Sequence, residues 1–419
     1  MLNKDNVREL AYLVYVDAIE PIEGKDRVEA AVIGGWKTMV KKDTFKPGDI
    51  GIYFEVDSKL PEKPEYEFTE KYHYKIKTQK FKQFYSQGLL MHPNDIGWKV
   101  AEVENTDGKH YIGVVDNKNE IHLVEDETRF LTKQLEVTYA VADDNRRKGS
   151  GPDKYKKMAQ RHPKLFKKKP FRWLMRRTWG KKLLFIFFGK AKDKADDKKK
   201  FPTHFPYISK TDQERCENMP WVLQDKTPFI KTQKCDGSSG TYILERKGKK
   251  FEFYVCSRNV RQLTPDQQCF YEENYYWEVA LKYDIENKLK NYLEKHQDLD
   301  YVCWQGEICS PKIQGNPHGL TETHFYCFHM TDSKIGRYDI RAAAKIWKEY
   351  NMEIVPIIDE NYILPDDFEE FKLDADGFYV PECCEGKKNQ PREGFVYYKT
   401  TDPNFSFKNV SRKYLLKHS

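Results

Sequence analysis

At 419 residues, 33% of them charged and 39% hydrophobic, the chain is too long for one small core and reads as a polar-surfaced protein of two or three domains. Its longest apolar run, "LLFIFF" at Leu183 to Phe188, is far too short to span a bilayer, and "MLNKDNVRELAYL" is charged where a secretory signal would be apolar. The nine cysteines, none before Cys216, show neither a disulfide framework nor zinc spacing, so an intracellular and most simply cytoplasmic setting is expected.

In chain order, the stretch from about Leu10 to Tyr139 reads as short strands punctuated by turns. "AYLVYVDAIEPI", "RVEAAVIGGW" and "KTMVKK" are strand-like, "GDIGIYFEVDSKLP" follows the turn "FKPG", and "HYKIKTQKFKQFYSQGLLMHP" and "KHYIGVVD" come later. Five or so strands in this length suggest a small closed barrel of the oligonucleotide-binding (OB) type, residues 1–140. Lys interleaved with Phe and Tyr in "YHYKIKTQKFKQFY" suits a face that tracks phosphates and stacks bases, and equally a solvated strand face.

Residues 141–200 form a basic linker or insertion. Between Asn145 and Lys200 stand 22 Lys or Arg against 4 Asp, although the whole chain carries only +7. Such a block points to a polyanionic partner, nucleic acid or an anionic membrane surface, and the same composition also suits a solvating linker. Its middle, "FRWLMRRTWGKKLLFIFF", predicts a basic amphipathic helix interrupted at Gly180.

Residues 201–419 read as a larger α+β domain. "KKFEFYVCSRNV", "YVCWQGEI", "HFYCFHMTD", "REGFVYYKT" and "FSFKNV" predict strands, "NYYWEVALKYDIENKLKNYLEKH" a long amphipathic helix and "IRAAAKIWKEYN" another. Strands and helices do not alternate regularly, so a doubly wound parallel sheet is not indicated.

The chemistry centres on "KTQKCDGSSG", Lys231 to Gly240, where Lys234 and Asp236 precede Gly237 between two strand-like runs. A lysine that loses its proton can attack phosphorus, an acid two places on can face a metal-bound water, and a glycine lets backbone approach a nucleotide. Further along stand Arg258 in "CSRNV", Glu307 in "WQGEICSPKIQGN", Phe328 in "FYCFHM", Glu393 in "REGFVYY" and Lys408 in "SFKNVSRKYLLK". Singly, each of these has an ordinary surface or packing explanation.

Together and in this order, "KCDG", "SRN", "QGEI…IQGN", "EGFV" and "SFK…KYLLK" resemble the motifs of the covalent nucleotidyltransferase superfamily of ligases and capping enzymes, from about Phe201 to the end. "FPYISKTDQERCENMP" and the N-terminal stretch "IEGKDRVEAAVIGGWKTMVKKDTFKPGDIGIYFEVDSKLP" with "SQGLL" are similar to one group within it, the ATP-dependent RNA ligases that carry an OB domain before the nucleotidyltransferase domain. Only 11 residues follow Lys408, so the OB domain that follows the last motif in DNA ligases and capping guanylyltransferases has no room here.

The resemblance implies a fold of antiparallel sheets and helices behind the small barrel, and an enzyme that seals 3′-hydroxyl and 5′-phosphate RNA ends through lysyl-AMP and an RNA-adenylate. It implies Lys234 as the nucleophile. Asp236, Glu307 and Glu393 would hold Mg²⁺ or Mn²⁺, Phe328 would stack on adenine, and Arg258 and Lys408 would meet phosphates. Lys408 would also keep Lys234 unprotonated by like-charge repulsion, and Gln233 and Gly237 would lie against the nucleotide. Two positions depart from the pattern: Gln233 replaces the usual acid before the nucleophile, and Val410 replaces a second lysine, for which Arg412 or Lys413 are the nearest substitutes. Rival readings are a capping guanylyltransferase, a DNA ligase, or a non-catalytic protein that binds nucleic-acid ends.

Overall fold

The computed structural model describes residues 1–104, 110–140, 208, 210–258, 274–385 and 390–418. The basic segment and its expected helix lie outside these residues.

The first 140 residues hold not five strands but thirteen short ones among those described: β1 (Ala11–Tyr15), β2 (Ala18–Pro21), β3 (Val28–Ile33), β4 (Trp36–Lys41), β5 (Ile50–Phe54), β6 (Ser58–Lys59), β7 (Gln79–Phe81), β8 (Phe84–Ser86), β9 (Leu89–Met91), β10 (Lys99–Glu104), β11 (His110–Val115), β12 (Ile121–Leu123) and β13 (Thr138–Tyr139). Turn residues cut the longer runs. "RVEAAVIGGW" turns back at Gly34, whose φ of 55° suits a glycine, so that Ile33 faces Trp36 across a two-residue hairpin. Strands β1, β5 and β9 form one sheet, β2 to β4 a second and β10 to β12 a third. Alternation along β1 and β5 then serves two cores. Leu13, Ile52 and Phe54 pack with Met91 and Leu131, while Tyr12 and Tyr53 face the other way onto Trp36 and Leu90.

Two five-stranded sheets follow, built from β14 (Glu214–Arg215), β15 (Phe229–Lys234), β16 (Ser238–Lys247), β17 (Lys250–Ser257), β18 (Tyr301–Cys309), β19 (His324–Asp332), β20 (Gly336–Arg337), β21 (Ile357–Tyr362), β22 (Gly394–Lys399) and β23 (Asp402–Val410). One runs β14-β23-β22-β15-β21, the other β17-β16-β18-β19-β20. Helices α1 (Tyr275–Lys282), α2 (Ile285–Lys295) and α3 (Ile340–Glu349) cover the second sheet, contributing Val279, Leu289 and Trp347 to the main core. Helix α4 (Phe368–Asp374) packs Phe371 onto Phe395, Tyr397 and Phe407 of the first sheet. Helix α5 (Arg412–His418) ends the described chain.

The single helix expected over 274–296 is therefore two. The chain breaks at Asp284, whose φ of 49° is left-handed, and the Tyr283 hydroxyl donates to Glu353 while accepting from the Phe325 amide. Those tertiary bonds outweigh the local helical pattern, and the break lets Ile285, Leu289 and Leu293 face the same core as Val279.

The two parts share a polar and apolar junction. Asn218 accepts from the Trp36 indole (2.6 Å) and the Tyr12 hydroxyl (3.1 Å) and donates to Glu55 (3.0 Å), while Arg215 pairs with Asp57 at 3.1 Å. Val410, Tyr414 and Leu415 enter the core around Trp36.

Candidate active site

Lys234 is the last residue of β15, paired across the sheet with Gly394 of β22. That register sets Glu393, one residue before β22, beside it: Lys234 Nζ donates to Glu393 Oε2 at 2.8 Å. After Cys235 and Asp236 the chain enters β16, and Ser239 pairs with Glu307 of β18, which brings the second sheet's carboxylate to the same end. The two glycines of these motifs are sterically required. A Cβ on Gly237 would lie 2.3 Å from the Ile308 carbonyl oxygen. One on Gly394, at φ 145°, would lie 2.1 Å from that of Asn409.

Asp236 is fixed from two directions, one of them braced from behind. The Tyr414 hydroxyl of α5 donates to its carboxylate, its own amide donates to His318 Nε2 at 3.0 Å, and His318 Nδ1 in turn donates to the Cys383 carbonyl at 2.8 Å. Burial pushes the Asp236 carboxyl up to about 7, with the charge of Glu393 adding to it. Glu307 is pushed up to about 8, first by burial and then by Glu393 and Asp236, against the pull of Lys234. Burial alone would lower the Lys234 ammonium, but Glu393, Glu307 and Asp236 outweigh it and hold it above the ordinary lysine range.

The expectation that Lys408 repels the proton from Lys234 is thus reversed in this geometry. Lys408 is the lysine whose pKa falls, to about 7. Burial is the main cause, and Arg8, Arg215 and Lys234 add to it against the attraction of Asp212. Three acids close to Lys234 decide its charge, whereas Lys408 sits on β23 opposite Arg215 and Val396.

Asp236 and Glu307, both raised, stand with Glu393 around one ammonium, a concentration of carboxylates that suits a cation. Their oxygens do not gather into one tight inner-sphere set among the described residues. The arrangement fits a hard divalent ion held largely through its waters.

Residues 10–93 match an OB-fold domain family, and residues 227–415 match the RNA ligase family. Residues 227–415 are thus an RNA ligase domain. The solved structures most similar to this ligase include Naegleria gruberi RNA ligase, as an unliganded variant (25% identity, TM-score 0.65, 98% of each chain covered) and with PPi (25%, 0.65, 98% of this chain and 99% of that one). A further variant of that enzyme carries ATP and Mn (24%, 0.65, 98% and 99%). Curated protein sequences give no match.

The other residues expected at the site differ in their surroundings. Phe328 is the extra residue of a β-bulge, since Gln305 pairs with His329 and Gly306 with Cys327; it is half-buried and edge-on to His329. Arg258 is exposed and bound to Asp212 at 2.6 Å. Gln233 is buried. Its amide nitrogen donates to the Gly394 carbonyl at 2.8 Å, which leaves its Oε1 without a partner among the described residues.

The substitutes named for the missing second lysine are engaged elsewhere. Arg412 is buried against Glu369, and Lys413 lies 3.4 Å from Asp376. Val410 is apolar because that position joins the core of the N-terminal domain.

Sequence reading missed Tyr414, His318, Asp212 and Arg215, and it missed His329, buried with both ring nitrogens unpartnered among the described residues. Only Tyr414 carried a signal, its place in "KYLLK" four residues before the end of α5.

Proposed function

We propose that this RNA ligase consumes ATP to join an RNA 3′-hydroxyl to a 5′-phosphate, with Lys234 as the carrier of AMP. The observation that carries this reading is Lys234 at a strand end, bonded to Glu393 and ringed by Glu307 and Asp236, in a domain of the RNA ligase family. The complexes of the Naegleria enzyme with ATP and Mn and with PPi support the same choice of nucleotide and leaving group.

In the first step Lys234 Nζ passes its proton toward Glu393, already 2.8 Å away, and attacks the α-phosphorus. The Nζ–P bond forms as the bond to pyrophosphate breaks. An oxygen of the RNA 5′-phosphate then attacks the same phosphorus and releases Nζ. Last, the 3′-hydroxyl attacks the 5′-phosphate and AMP leaves. Each step is an in-line displacement, where positioning and charge neutralisation supply most of the help. Mg²⁺ or Mn²⁺, held by Asp236, Glu307 and Glu393, would supply that neutralisation when bound. Phe328 offers a face to the adenine, Arg258 and Lys408 offer charge to phosphates, and Gly237 leaves room for close approach. The free Oε1 of Gln233 is an acceptor suited to the adenine amino group, where guanine would present a carbonyl.

Incubation with α-labelled ATP and a divalent ion tests the reading. Labelled protein that transfers its label to 5′-phosphorylated RNA and then seals it supports the proposal. Labelling by GTP in place of ATP would favour a capping enzyme, and RNA binding with no labelling would favour an end-binding protein.

Lys408 gives the ligase a pH signature. A triphosphate favours its charged form, so the pKa of about 7 in the free protein rises on binding. Between the two values, as at about pH 8, ATP binding carries in up to about one proton, and affinity falls up to about tenfold per pH unit as pH rises through that window. Below pH 7 the lysine is already charged and uptake disappears. Calorimetry in buffers of differing ionisation enthalpy should show up to about one proton less taken up by Lys408→Met than by the wild type.

The basic segment 145–200 supplies charge for the RNA backbone in this reading. Deleting Arg146 to Lys199 should weaken RNA binding and flatten its salt dependence. Loss of liposome binding with RNA affinity unchanged would make the segment a membrane device. Among the described residues no helix is long and apolar enough to cross a membrane, and the eight described cysteines are free thiols, which fits a reducing cytoplasm.

A further inference from the structure

A second constellation lies in the N-terminal domain, away from the nucleotide chemistry and independent of it. The turn joining β11 to β12 carries Asp116 and Glu120, and His122 follows on β12 opposite Val114. Asp116 and His122 are buried, with 6% and 5% of their surface exposed, while Glu120 opens to solvent.

Each group is oriented from behind. The Asp116 Oδ1 accepts from the amides of Lys118 and Glu120, both at 2.8 Å, so Oδ2 is the atom turned inward. His122 Nδ1 lies 2.9 Å from the Thr128 carbonyl, which only an N–H can satisfy, so the inward Nε2 of the neutral ring carries a lone pair. The ring plane is fixed by stacking on Trp98, centroids 5.5 Å apart and 13° from parallel. A histidine whose outer nitrogen is held by a backbone carbonyl is the usual arrangement of a metal ligand.

The inward atoms converge. His122 Nε2 is 3.5 Å from Asp116 Oδ2, and one atom from each of Asp116, Glu120 and His122 lies within 4.8 Å of the others. At the centre stands the Gln134 amide, which donates to Asp116 and lies 3.2 Å from Glu120 Oε2 and 3.3 Å from His122 Nε2. An NH₂ has two hydrogens, so it cannot satisfy three acceptors. Two carboxylates and an imidazole lone pair facing one point call for a cation there.

We propose that Asp116, Glu120 and His122 bind a divalent ion of the zinc class, with the Gln134 carboxamide turned over so that its oxygen becomes a fourth ligand. Four-coordinate bonds of about 2.0–2.2 Å set ligand atoms roughly 3.3 Å apart. The His122 to Asp116 spacing already meets this; the exposed Glu120 side chain closes in as the Gln134 carboxamide turns over. The imidazole and the four-coordinate geometry favour zinc, with cobalt as its substitute, over magnesium, calcium and manganese, which suit all-oxygen shells. The ion ties the β11–β12 turn to the segment around Gln134 and acts structurally, stabilising the folded domain because the unfolded chain holds no such site.

Metal-stripped full-length protein titrated with Co²⁺ tests this. The wild type should take up one equivalent with the visible absorption of four-coordinate cobalt, Zn²⁺ should displace it and raise the melting midpoint, and Asp236→Asn should behave alike. His122→Gln should lose the absorption. So should Glu120→Gln, a surface change that leaves the fold intact, with affinity lowered at least about tenfold. No cobalt absorption in the wild type, absorption unchanged in both Glu120→Gln and His122→Gln, or absorption lost only in Asp236→Asn would each overturn the proposal.

Discussion

Lys234→Ala is expected to abolish the transfer of AMP from ATP to the protein, by a factor on the order of 10⁴ or more, because no other group can form the Nζ–P bond. Gel detection of α-labelled protein and a mass shift of one AMP report it directly. Lys234→Arg should be equally inactive: it keeps the charge beside Glu393 but cannot be deprotonated at any working pH. That pair of variants separates nucleophilicity from charge. The fold should survive both, since Lys234 is half-buried and its side chain bonds to Glu393 rather than to the backbone of the sheet. Removing its charge in the alanine variant leaves Asp236, Glu307 and Glu393 without their cation, and two of these already titrate high, so they respond by taking up protons. Persistent labelling of Lys234→Ala would move the nucleophile elsewhere.

Lys372→Met should cost about 3–5 kcal/mol of stability, read as a shift in the urea midpoint. Lys372 of α4 has no exposed side-chain surface, and neither has Glu217, its partner at 2.7 Å; the ammonium also donates to the Val410 carbonyl at 2.9 Å. Lys372 holds the Glu217 carboxyl low despite the burial that would raise it. Losing the lysine strands that charge in the interior. Combining Lys372→Met with Glu217→Leu should recover most of the loss, because two apolar side chains of similar volume need no compensation. A residual penalty of about 1–3 kcal/mol should remain for the Val410 carbonyl left without its donor. A double variant no more stable than Lys372→Met would show that the pair matters through packing instead. Val410 lies two residues beyond Lys408 on β23, so the single variant should also weaken ATP binding.

Much of the site was legible because its chemistry is local in sequence. Lys234, Asp236 and Gly237 sit within four residues, and glycine at 237 and 394 is demanded by backbone atoms that any β-strand pairing at that register would bring close. Phe328 was readable as an aromatic in a strand, but not as the extra residue of a bulge, which depends on how β18 and β19 pair. The helix break at Asp284 was hidden for the same reason: an amphipathic period continues through it, and only Glu353 and Phe325 of distant segments pull Tyr283 out of line.

The sequence by itself determined the kind of protein: strands in the first 140 residues, an α+β domain after residue 201, and the ordered motifs of a nucleotidyltransferase. The first two follow from short-range patterns and turn residues, the last from the resemblance of the motifs to a known family. Only the tertiary structure decided the electrostatics and the joints. Which lysine is raised and which lowered depends on the number of acids folded around each: three near Lys234, and Asp212 against two arginines near Lys408. Val410 departs from the expected lysine because its strand end enters the hydrophobic core of the N-terminal domain, some 370 residues away in sequence from Trp36. Distance in the chain carries no information about Coulomb energy or burial, which depend on distance in space alone.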